Sequence, residues 1–443
     1  MTLFRRLSFQ NMNKTIETIP FARPFIGAEE EEAVLRVLRS GWLTTGTEAI
    51  QFEKEFASFF INRIPENIKG PQGVQKEAEK GITALAVNSA TSGLHLALEA
   101  CNVGPGDIVI TSTYTFTATA EVVRYLGAHV VFIDVAPNSY LMNVTSLERT
   151  LKRLSQGLPA YPPRPGHQDP EEGFGPRGSV KAIIPVHVAG CACDMDTILN
   201  LAHTYNAKVI EDAAHAFPSQ LTDGRWVGLL GDIGVFSFYA TKTITTGEGG
   251  MILTRDQNLA QRISIMRSHG IDRSIWNRYT DTKASWKYAV IAPGYKYNMP
   301  DVLAAIGRVQ LGRAIQLLEM RRSIAERYNQ AFFDIPSLLV PPNSPENAWH
   351  LYPIRLAGSN GKKIRDQFII RLQELGIGVS VHFIPLHTMP YYGSLYNLVE
   401  TDFPNAVDTF SRSISLPIWP GMDNNQVDRV IDGVIKTIAT LKG

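Results

Sequence analysis

The chain has 443 residues, of which 44% are hydrophobic, so it is long enough to form two or three domains with large buried cores. Its 43 Lys and Arg residues nearly balance its 42 Asp and Glu residues, and the net charge of +1 excludes the strong positive field used in non-specific nucleic-acid binding. The stretch MTLFRRLSFQNMNK has no apolar core of a signal peptide, and no run of about 18 apolar residues follows. The sequence therefore predicts a cytoplasmic protein that binds neither nucleic acid nor membranes.

The three cysteines, Cys101, Cys191 and Cys193, predict reduced thiols, because their number is odd and two of them are one residue apart. The stretch HVAGCACD contains side chains that could bind zinc, but structural zinc sites usually have a second pair of ligands elsewhere, and the sequence has none. We therefore predict no metal site.

Strand, helix and strand patterns predict an α/β fold with a mostly parallel central sheet flanked by helices. Residues 107–135 show the pattern most clearly, and residues 180–216 repeat it. Asp212 follows the last strand of the second repeat, where functional groups of such sheets collect. It could equally be the N-cap of a following helix.

The C-terminal third has a different pattern, with long helices over 301–332 and 362–376 and a short strand in GVSVHFIP (378–385). The apolar face of the last helix is formed by Val427, Val430, Val434, Ile435 and Ile438. This pattern of helices and short strands predicts a smaller α+β domain.

The predicted domain organisation has three parts. Residues 1–18 form an N-terminal extension, residues 19–300 the large domain and residues 301–443 the small domain. Two stretches rich in Pro, Gly and charge, 62–81 and 155–179, predict surface insertions, to which we assign no chemistry.

Lys242 lies in the stretch VFSFYATKTITTGEGGM, between a predicted strand and a glycine-bearing turn. Most lysines in such a place are simply solvated. A buried amine with a lowered pKa can instead form a Schiff base with an aldehyde. Pyridoxal 5'-phosphate supplies that aldehyde and also requires a carboxylate at its pyridine nitrogen, a phosphate site and an apolar cover. Asp212, which is 30 residues earlier, is the candidate carboxylate.

Hydroxyl and aromatic residues supply the remaining requirements. Thr91 and Ser92 lie where a strand gives way to a helix, and backbone N–H groups at a helix start bind phosphate. Ser237 adds a hydroxyl, and Phe116 follows a strand and could cover a ring. Each signal is weak alone, because Ser and Thr begin many helices as caps and most aromatic residues belong to a core.

Seven motifs in chain order resemble those of the DegT/StrS sugar aminotransferases, pyridoxal-phosphate enzymes of fold type I. They are SGWLTTG, NSATSGLHLAL, TFTATAEV, PVHVAG, VIEDAAHA, FSFYATKTITTGEGG and PGYKYNMPDVLAAIG. The resemblance runs from about residue 19 to the C-terminus, apart from the two insertions. It implies that Lys242 is the catalytic lysine that anchors the cofactor and that Asp212 binds the pyridine nitrogen.

The resemblance also implies further contacts. It implies that the cofactor is contacted by Thr91, Ser92, Phe116, His215, Ser237 and Lys296. It also implies that the substrate is contacted by Thr44 and His382. His215 stands where many relatives carry glutamine, and Lys296 replaces the usual phosphate-binding asparagine. Relatives insert the segment that matches GYKYNM into the neighbouring subunit, so a homodimer with shared active sites is implied.

The implied reaction has two stages. L-glutamate gives its amino group to the cofactor and leaves as 2-oxoglutarate, and a keto sugar linked to a nucleoside diphosphate then receives that group. The stretches PGYKYNM, NAWHLY and GIGVSVHFIPLHTMPYY are most similar to the UDP-4-amino-4-deoxy-L-arabinose branch of the family. The sequence does not decide the nucleotide, the sugar or the keto position.

Three alternatives remain open at this point. A sugar dehydratase on the same scaffold carries histidine at the anchoring position, which Lys242 disfavours. A pyridoxal-phosphate lyase such as a cysteine desulfurase needs a reactive cysteine on a mobile loop. A non-enzymatic regulatory homologue that binds the cofactor is the third.

Overall fold

The fold is that of a computed structural model, which describes residues 17–61, 81–164, 173–272, 288–344, 346–358 and 361–441. Within these ranges the strands are β1 (Thr83–Val87), β2 (Ile108–Ser112), β3 (His129–Ile133), β4 (Val180–Ile184), β5 (Lys208–Asp212), β6 (Ile233–Ser237), β7 (Gly250–Thr254), β8 (Leu338–Leu339), β9 (Tyr352–Leu356) and β10 (Ser413–Leu416). The helices are α1 (Ala28–Ser40), α2 (Thr47–Ile61), α3 (Ala90–Ala100), α4 (Ala118–Tyr125), α5 (Val144–Ser155), α6 (Met195–Thr204), α7 (Gln257–Met266), α8 (Asp301–Gly312), α9 (Ala314–Phe332), α10 (Gly361–Glu374), α11 (Pro390–Tyr396), α12 (Pro404–Arg412) and α13 (Asn424–Leu441).

The central sheet has seven strands in the order β1-β7-β6-β5-β4-β2-β3. The pairs β2–β3, β2–β4, β4–β5 and β5–β6 are parallel, whereas β7 runs antiparallel to both of its neighbours. Strand β2, with the sequence IVITS, is buried along its whole length, as expected of a parallel strand that has helices on both faces. The predicted mostly parallel sheet flanked by helices is confirmed.

Strand β6 is held tightly from both faces. On one face Phe56 of α2 packs edge-on against Phe236, with ring centroids 5.4 Å apart. On the other face α3 comes so close that a Cβ atom on Gly93 would lie 2.7 Å from Val235 Cγ1. A larger residue at position 93 would push α3 off the sheet. The end of β6 is therefore a rigid platform for the residues that follow it.

A second, antiparallel sheet has the order β10-β9-β8 and packs with α9, α10 and α13 around one hydrophobic core. The last helix buries Val427, Val430, Val434 and Ile438, but Ile435 is 41% exposed. The predicted apolar face was wrong at Ile435, because this residue lies about 100° around the helix from Val434.

Two further predictions for this region differ from the structure. The helix predicted over 301–332 is divided into α8 and α9 at Arg313, whose ψ of 1° is not helical. The strand predicted in residues 378–385 is reduced to one isolated bridge, Ser380 to Ser415. Within this stretch His382 bonds to side chains rather than to a neighbouring strand. Its Nδ1 lies 2.9 Å from Ser415 Oγ, and its carbonyl accepts the Tyr114 hydroxyl. The division of the chain into domains at residue 300 stays a prediction.

The described part of the second predicted insertion, residues 155–164 and 173–179, contacts the rest of the protein. Tyr161, only 6% exposed, packs edge-on against Phe403, and its hydroxyl oxygen accepts the N–H of Phe132 in the edge strand β3. Without that bond this N–H would have no strand to pair with. The described part of this predicted insertion therefore packs against the protein at Tyr161, and its assignment as an insertion stays a prediction. Residues 165–172, residues 62–80 of the first insertion and residues 1–16 lie outside the described residues.

Candidate active site

A cavity of about 500 Å³ opens at the carboxyl ends of β2, β4, β5 and β6. Such strand ends are the usual place for ligand sites in open α/β sheets. Seven of the predicted site residues line this cavity, namely Thr91, Phe116, Asp212, His215, Ser237, Lys242 and His382. Residues that are far apart in the chain therefore meet at one place.

Asp212 is the last residue of β5 and is 5% exposed. Its Oδ2 accepts the Thr119 hydroxyl at 2.8 Å, and its Oδ1 accepts the N–H of Ala214 at 3.1 Å. Burial raises the pKa of Asp212, while these two bonds and Lys242 oppose that rise. The residue therefore closes a short turn rather than capping a helix, and its carboxylate faces the cavity.

Lys242 follows β6 after a short turn, in which its N–H donates to the carbonyl of Tyr239 at 2.9 Å. The side chain is half-buried in the cavity wall. Burial lowers the pKa of Lys242 to about 8, although the charge of Asp212 acts in the opposite direction. About a tenth of this amine is therefore unprotonated at pH 7, far more than for an ordinary lysine. We call Asp212, Ser237 and Lys242 together the anchor wall.

One end of the cavity is formed by the N-terminus of α3. Ser89 is the N-cap, and its hydroxyl oxygen accepts the N–H of Ser92 at 3.1 Å. A Cβ atom on Gly250 would lie 2.8 Å from the N atom of Ala90, so glycine lets β7 approach this helix start. Thr91 and Ser237 line the cavity from this side. Helix-start N–H groups beside these hydroxyls form a site suited to an anion.

Three neutral imidazoles form another wall, which we call the imidazole wall: His215, His350 and His382. The rings of His215 and His350 have centroids 4.3 Å apart. Burial holds the pKa of His215 and of His350 well below the ordinary value and lowers the pKa of His382 to about 4. The His215 ring accepts the N–H of Ala189 at Nδ1, so its own hydrogen is on Nε2.

An apolar surface completes the cavity. Phe116 is 60% exposed, and its ring centroid lies 6.4 Å from that of Phe383. Phe383 in turn stacks on His215, at 5.6 Å, and Phe21 stacks on His382, at 5.5 Å. A large aromatic side chain left open beside a polar cavity is well suited to cover a flat ring.

Three predicted site residues do not line this cavity. Ser92 is buried, and its hydroxyl bonds to Asn88 Oδ1 at 2.5 Å. Thr44 and Lys296 are exposed, on the loop before α2 and on the segment before α8. Hydrogen bonds join that loop and that segment, since Thr45 Oγ1 donates to the carbonyl of Met299 at 2.6 Å.

The cavity residues to which sequence reasoning assigned no role include Thr119 and His350. Thr119 lies in a helix start that was interpreted only through Phe116, and no motif links it to Asp212. His350 is in the stretch NAWHLY, whose likeness to relatives gave only a subfamily. His350 lies two residues before the buried strand β9, and no local pattern in that stretch indicates that it reaches the cavity.

Other features of the described residues limit the chemistry of the site. All three cysteines are free, and burial raises the pKa of Cys191 to about 11. The parts of the chain that the structure describes hold no group of three or more His, Cys, Asp or Glu side chains that could bind a metal ion. In the same ranges, no helix combines the length and apolar character that a membrane span requires.

The chain is similar to known proteins over nearly its whole length. Residues 78–435 match the DegT/DnrJ/EryC1/StrS aminotransferase family. The chain is 41% identical to the spore coat polysaccharide biosynthesis protein SpsC of Bacillus subtilis, over 94% of this chain and 96% of that protein.

Two solved structures illustrate the likeness of the fold. Spr1654 from Streptococcus pneumoniae in its PLP form superimposes with a TM-score of 0.79 at 28% identity, covering 96% of this chain and 99% of the other. PseC of Helicobacter pylori, an aminotransferase involved in the biosynthesis of pseudoaminic acid, has a TM-score of 0.78 at 25% identity, covering 96% and 100%.

The residues of the cavity fit pyridoxal phosphate on their own chemistry. A buried carboxylate, an amine with a lowered pKa, a helix start with hydroxyls and an open aromatic face all border one cavity. These are the groups that this cofactor requires. The predicted enzyme class and cofactor are confirmed by the family assignment: the chain belongs to the DegT/DnrJ/EryC1/StrS aminotransferase family and is a pyridoxal-phosphate-dependent sugar aminotransferase.

Proposed function

We propose that this enzyme transfers the amino group of L-glutamate to a keto sugar linked to a nucleoside diphosphate and releases 2-oxoglutarate. The observation that carries this proposal is the meeting of Lys242 and Asp212 in one cavity with a helix start at its end. The similarity to SpsC, a polysaccharide biosynthesis protein, and to PseC supports a carbohydrate acceptor.

The anchor wall carries the chemistry in this proposal. When bound, pyridoxal phosphate supplies an aldehyde for the amine and a ring that withdraws electrons from the reacting carbon. Asp212 holds a proton at the pyridine nitrogen, and its bonds to Thr119 and Ala214 fix the carboxylate in place. Lys242 would anchor the cofactor through its amine, and the same amine would move a proton at the donor's alpha carbon.

The remaining predicted contacts divide between cofactor and sugar. We propose that Thr91 and Ser237, with the N–H groups of α3, bind the phosphate and that Phe116 covers the ring. His215 replaces glutamine without loss of function in this proposal, because its Nε2–H is a donor as a glutamine amide is. Ser92 would support the phosphate-binding end of the cavity through its hydrogen bond to Ser89. His382 would contact the sugar nucleotide.

We propose that Thr44 and Lys296 act in the active site of a second subunit. Both are exposed outside this cavity, and the segments that carry them are tied together. Asp301 Oδ1 accepts the N–H groups of Gly46 and Ala49, at 2.7 and 3.0 Å. We propose that this joined unit reaches into the cavity of a neighbouring copy, so that a cytoplasmic homodimer shares its active sites.

Specific observations disfavour the alternatives. A dehydratase of this scaffold carries histidine at the anchoring position, whereas this chain has Lys242. A cysteine desulfurase needs a reactive thiolate, but burial raises the pKa of Cys191, and Cys193 is buried with its thiol donating to the carbonyl of Val186. The family assignment also disfavours a non-enzymatic homologue.

The test is a panel of UDP- and dTDP-linked keto sugars incubated with the holoenzyme and L-glutamate. Mass spectrometry of the products should reveal one amino sugar and an equal amount of 2-oxoglutarate. The panel includes the UDP-linked 4-keto pentose that the arabinose branch uses, which tests that subfamily prediction. Formation of 2-oxoglutarate without an amino sugar from any panel member would contradict the proposed acceptor.

A further inference from the structure

His350 has a polar atom that the protein leaves without a partner. The residue is 5% exposed and lines the active-site cavity, yet its Nδ1 has no hydrogen-bond partner among the described residues. Its neighbour His215 is in ring contact but not hydrogen-bonded to it. Buried polar groups in native proteins are nearly always paired, so an orphaned atom on a side chain that lines a cavity points to a ligand there.

A buried positive charge lies directly behind His350. The guanidinium of Arg321, in α9, donates through Nη1 to the carbonyls of Trp349 and His350, each at 3.3 Å, and of Ile418 at 2.6 Å. Arg321 is 2% exposed, and no ion pair joins it to a carboxylate in the parts of the chain that the structure describes. A buried charge without a counter-charge attracts an anion to the nearest accessible space.

The charges that act on His350 all have the same sign. Burial is the main reason that the pKa of His350 is low, and Lys242 and Arg321 lower it further. No acidic group acts in the other direction. The imidazole is therefore neutral, and it offers a hydrogen bond in a region of positive potential.

We propose that His350 binds the carboxylate of the amino donor, with Arg321 supplying the positive potential from behind the 349–350 turn. This inference rests on the proposed transamination and adds the residue that recognises the donor. The ligand atom must be close to Lys242, and the α-carboxylate is bonded directly to the carbon at which Lys242 moves the proton. The diphosphate of a sugar nucleotide is several bonds from the reacting carbon, so it fits the position of His350 near Lys242 less well.

The test uses glutarate, a dicarboxylate without an amino group, which can bind but cannot react. Its affinity for the holoenzyme is measured by calorimetry for wild type, His350→Leu and His350→Asn. We expect the affinity to fall about tenfold in His350→Leu, as when one hydrogen bond to a charged group is lost. His350→Asn keeps a donor and should lose less.

The control is His387→Leu, because His387 is also buried, also has an orphaned ring nitrogen and does not line the cavity. It should leave glutarate binding unchanged. In steady-state kinetics, His350→Leu should raise the KM for glutamate and leave the KM for the keto sugar unchanged.

Two results would overturn the proposal: unchanged glutarate affinity in both His350 variants, or an equal rise of both KM values. Failure of the proposed function is distinguishable, because it would appear as absent transamination in wild type. Should His350→Leu fail to fold, His350→Asn gives the same comparison with a smaller change of volume.

Discussion

The anchor wall and the imidazole wall face the same cavity but are built in different ways. The anchor wall comes from the ends of two adjacent strands, β5 and β6, and contains one acid and one amine. The imidazole wall comes from three separate segments and contains only neutral rings. The first wall is suited to covalent and proton-transfer chemistry, and the second to recognition.

This comparison makes an ordered set of predictions. Changes in the anchor wall should affect turnover and cofactor binding, whereas changes at His350 and His382 in the imidazole wall should affect the affinity for substrates.

The largest effect is expected for Lys242→Ala. Removal of the amine removes both the covalent anchor and the acid/base group, so kcat should fall about 10³-fold or more. The visible absorbance of the covalently bound cofactor should disappear as well. Lys208→Ala is the matched control, because Lys208 is in β5 but pairs with Asp232 at the surface. A Lys242→Ala enzyme that kept its colour and its turnover would refute the role of the anchor wall.

A smaller but still large effect is expected for Asp212→Asn. The substitution keeps the shape of the side chain but removes the charge at the pyridine nitrogen, so kcat should fall about 10²-fold. Asp134→Asn is the control: Asp134 is also buried, and it accepts N–H groups from Asn405 and Ala406 outside the cavity. The control should lower the melting temperature without changing kcat. Equal kcat values in the two variants would contradict our assignment.

A third effect is expected when the pH is raised from 7 to 9, which should increase the rate of cofactor uptake about tenfold. Only the unprotonated amine of Lys242 reacts with an aldehyde, and with a pKa of about 8 this form rises from about a tenth at pH 7 to about nine tenths at pH 9. The rate at which apoenzyme takes up pyridoxal phosphate should therefore rise and then level off near pH 9. Stopped-flow absorbance measures this rate. A rate that still rose steeply above pH 9 would mean that Lys242 titrates as an ordinary solvated lysine.

The smallest effect is expected for Thr119→Val. The change removes the hydroxyl that donates to Asp212 Oδ2, which should weaken cofactor affinity by about tenfold or less. Thr111→Val is the matched control, because the Thr111 hydroxyl is buried in the sheet and donates to the carbonyl of Ile184. Equilibrium dialysis of the cofactor should distinguish the two variants. Equal affinities would show that Thr119 does not position the carboxylate.

The difference between the walls also explains what the sequence could predict. Asp212 and Ser237 end parallel strands, and the sheet itself brings such ends together, so local pattern was sufficient to group them with Lys242. His350 depends on β9 of the second sheet packing beside the first, and no local pattern encodes that contact. The predicted strand at 378–385 failed for a similar reason, because distant side chains take the place of strand pairing there.

The most direct test of the central claim is to locate the covalent anchor of the cofactor. Holoenzyme is reduced with borohydride, which fixes the cofactor to its amine, and the digested peptides are analysed by mass spectrometry. We predict that the added mass is on Lys242, in the peptide between Arg225 and Arg255. Modification of another lysine with Lys242 unmodified would contradict the account.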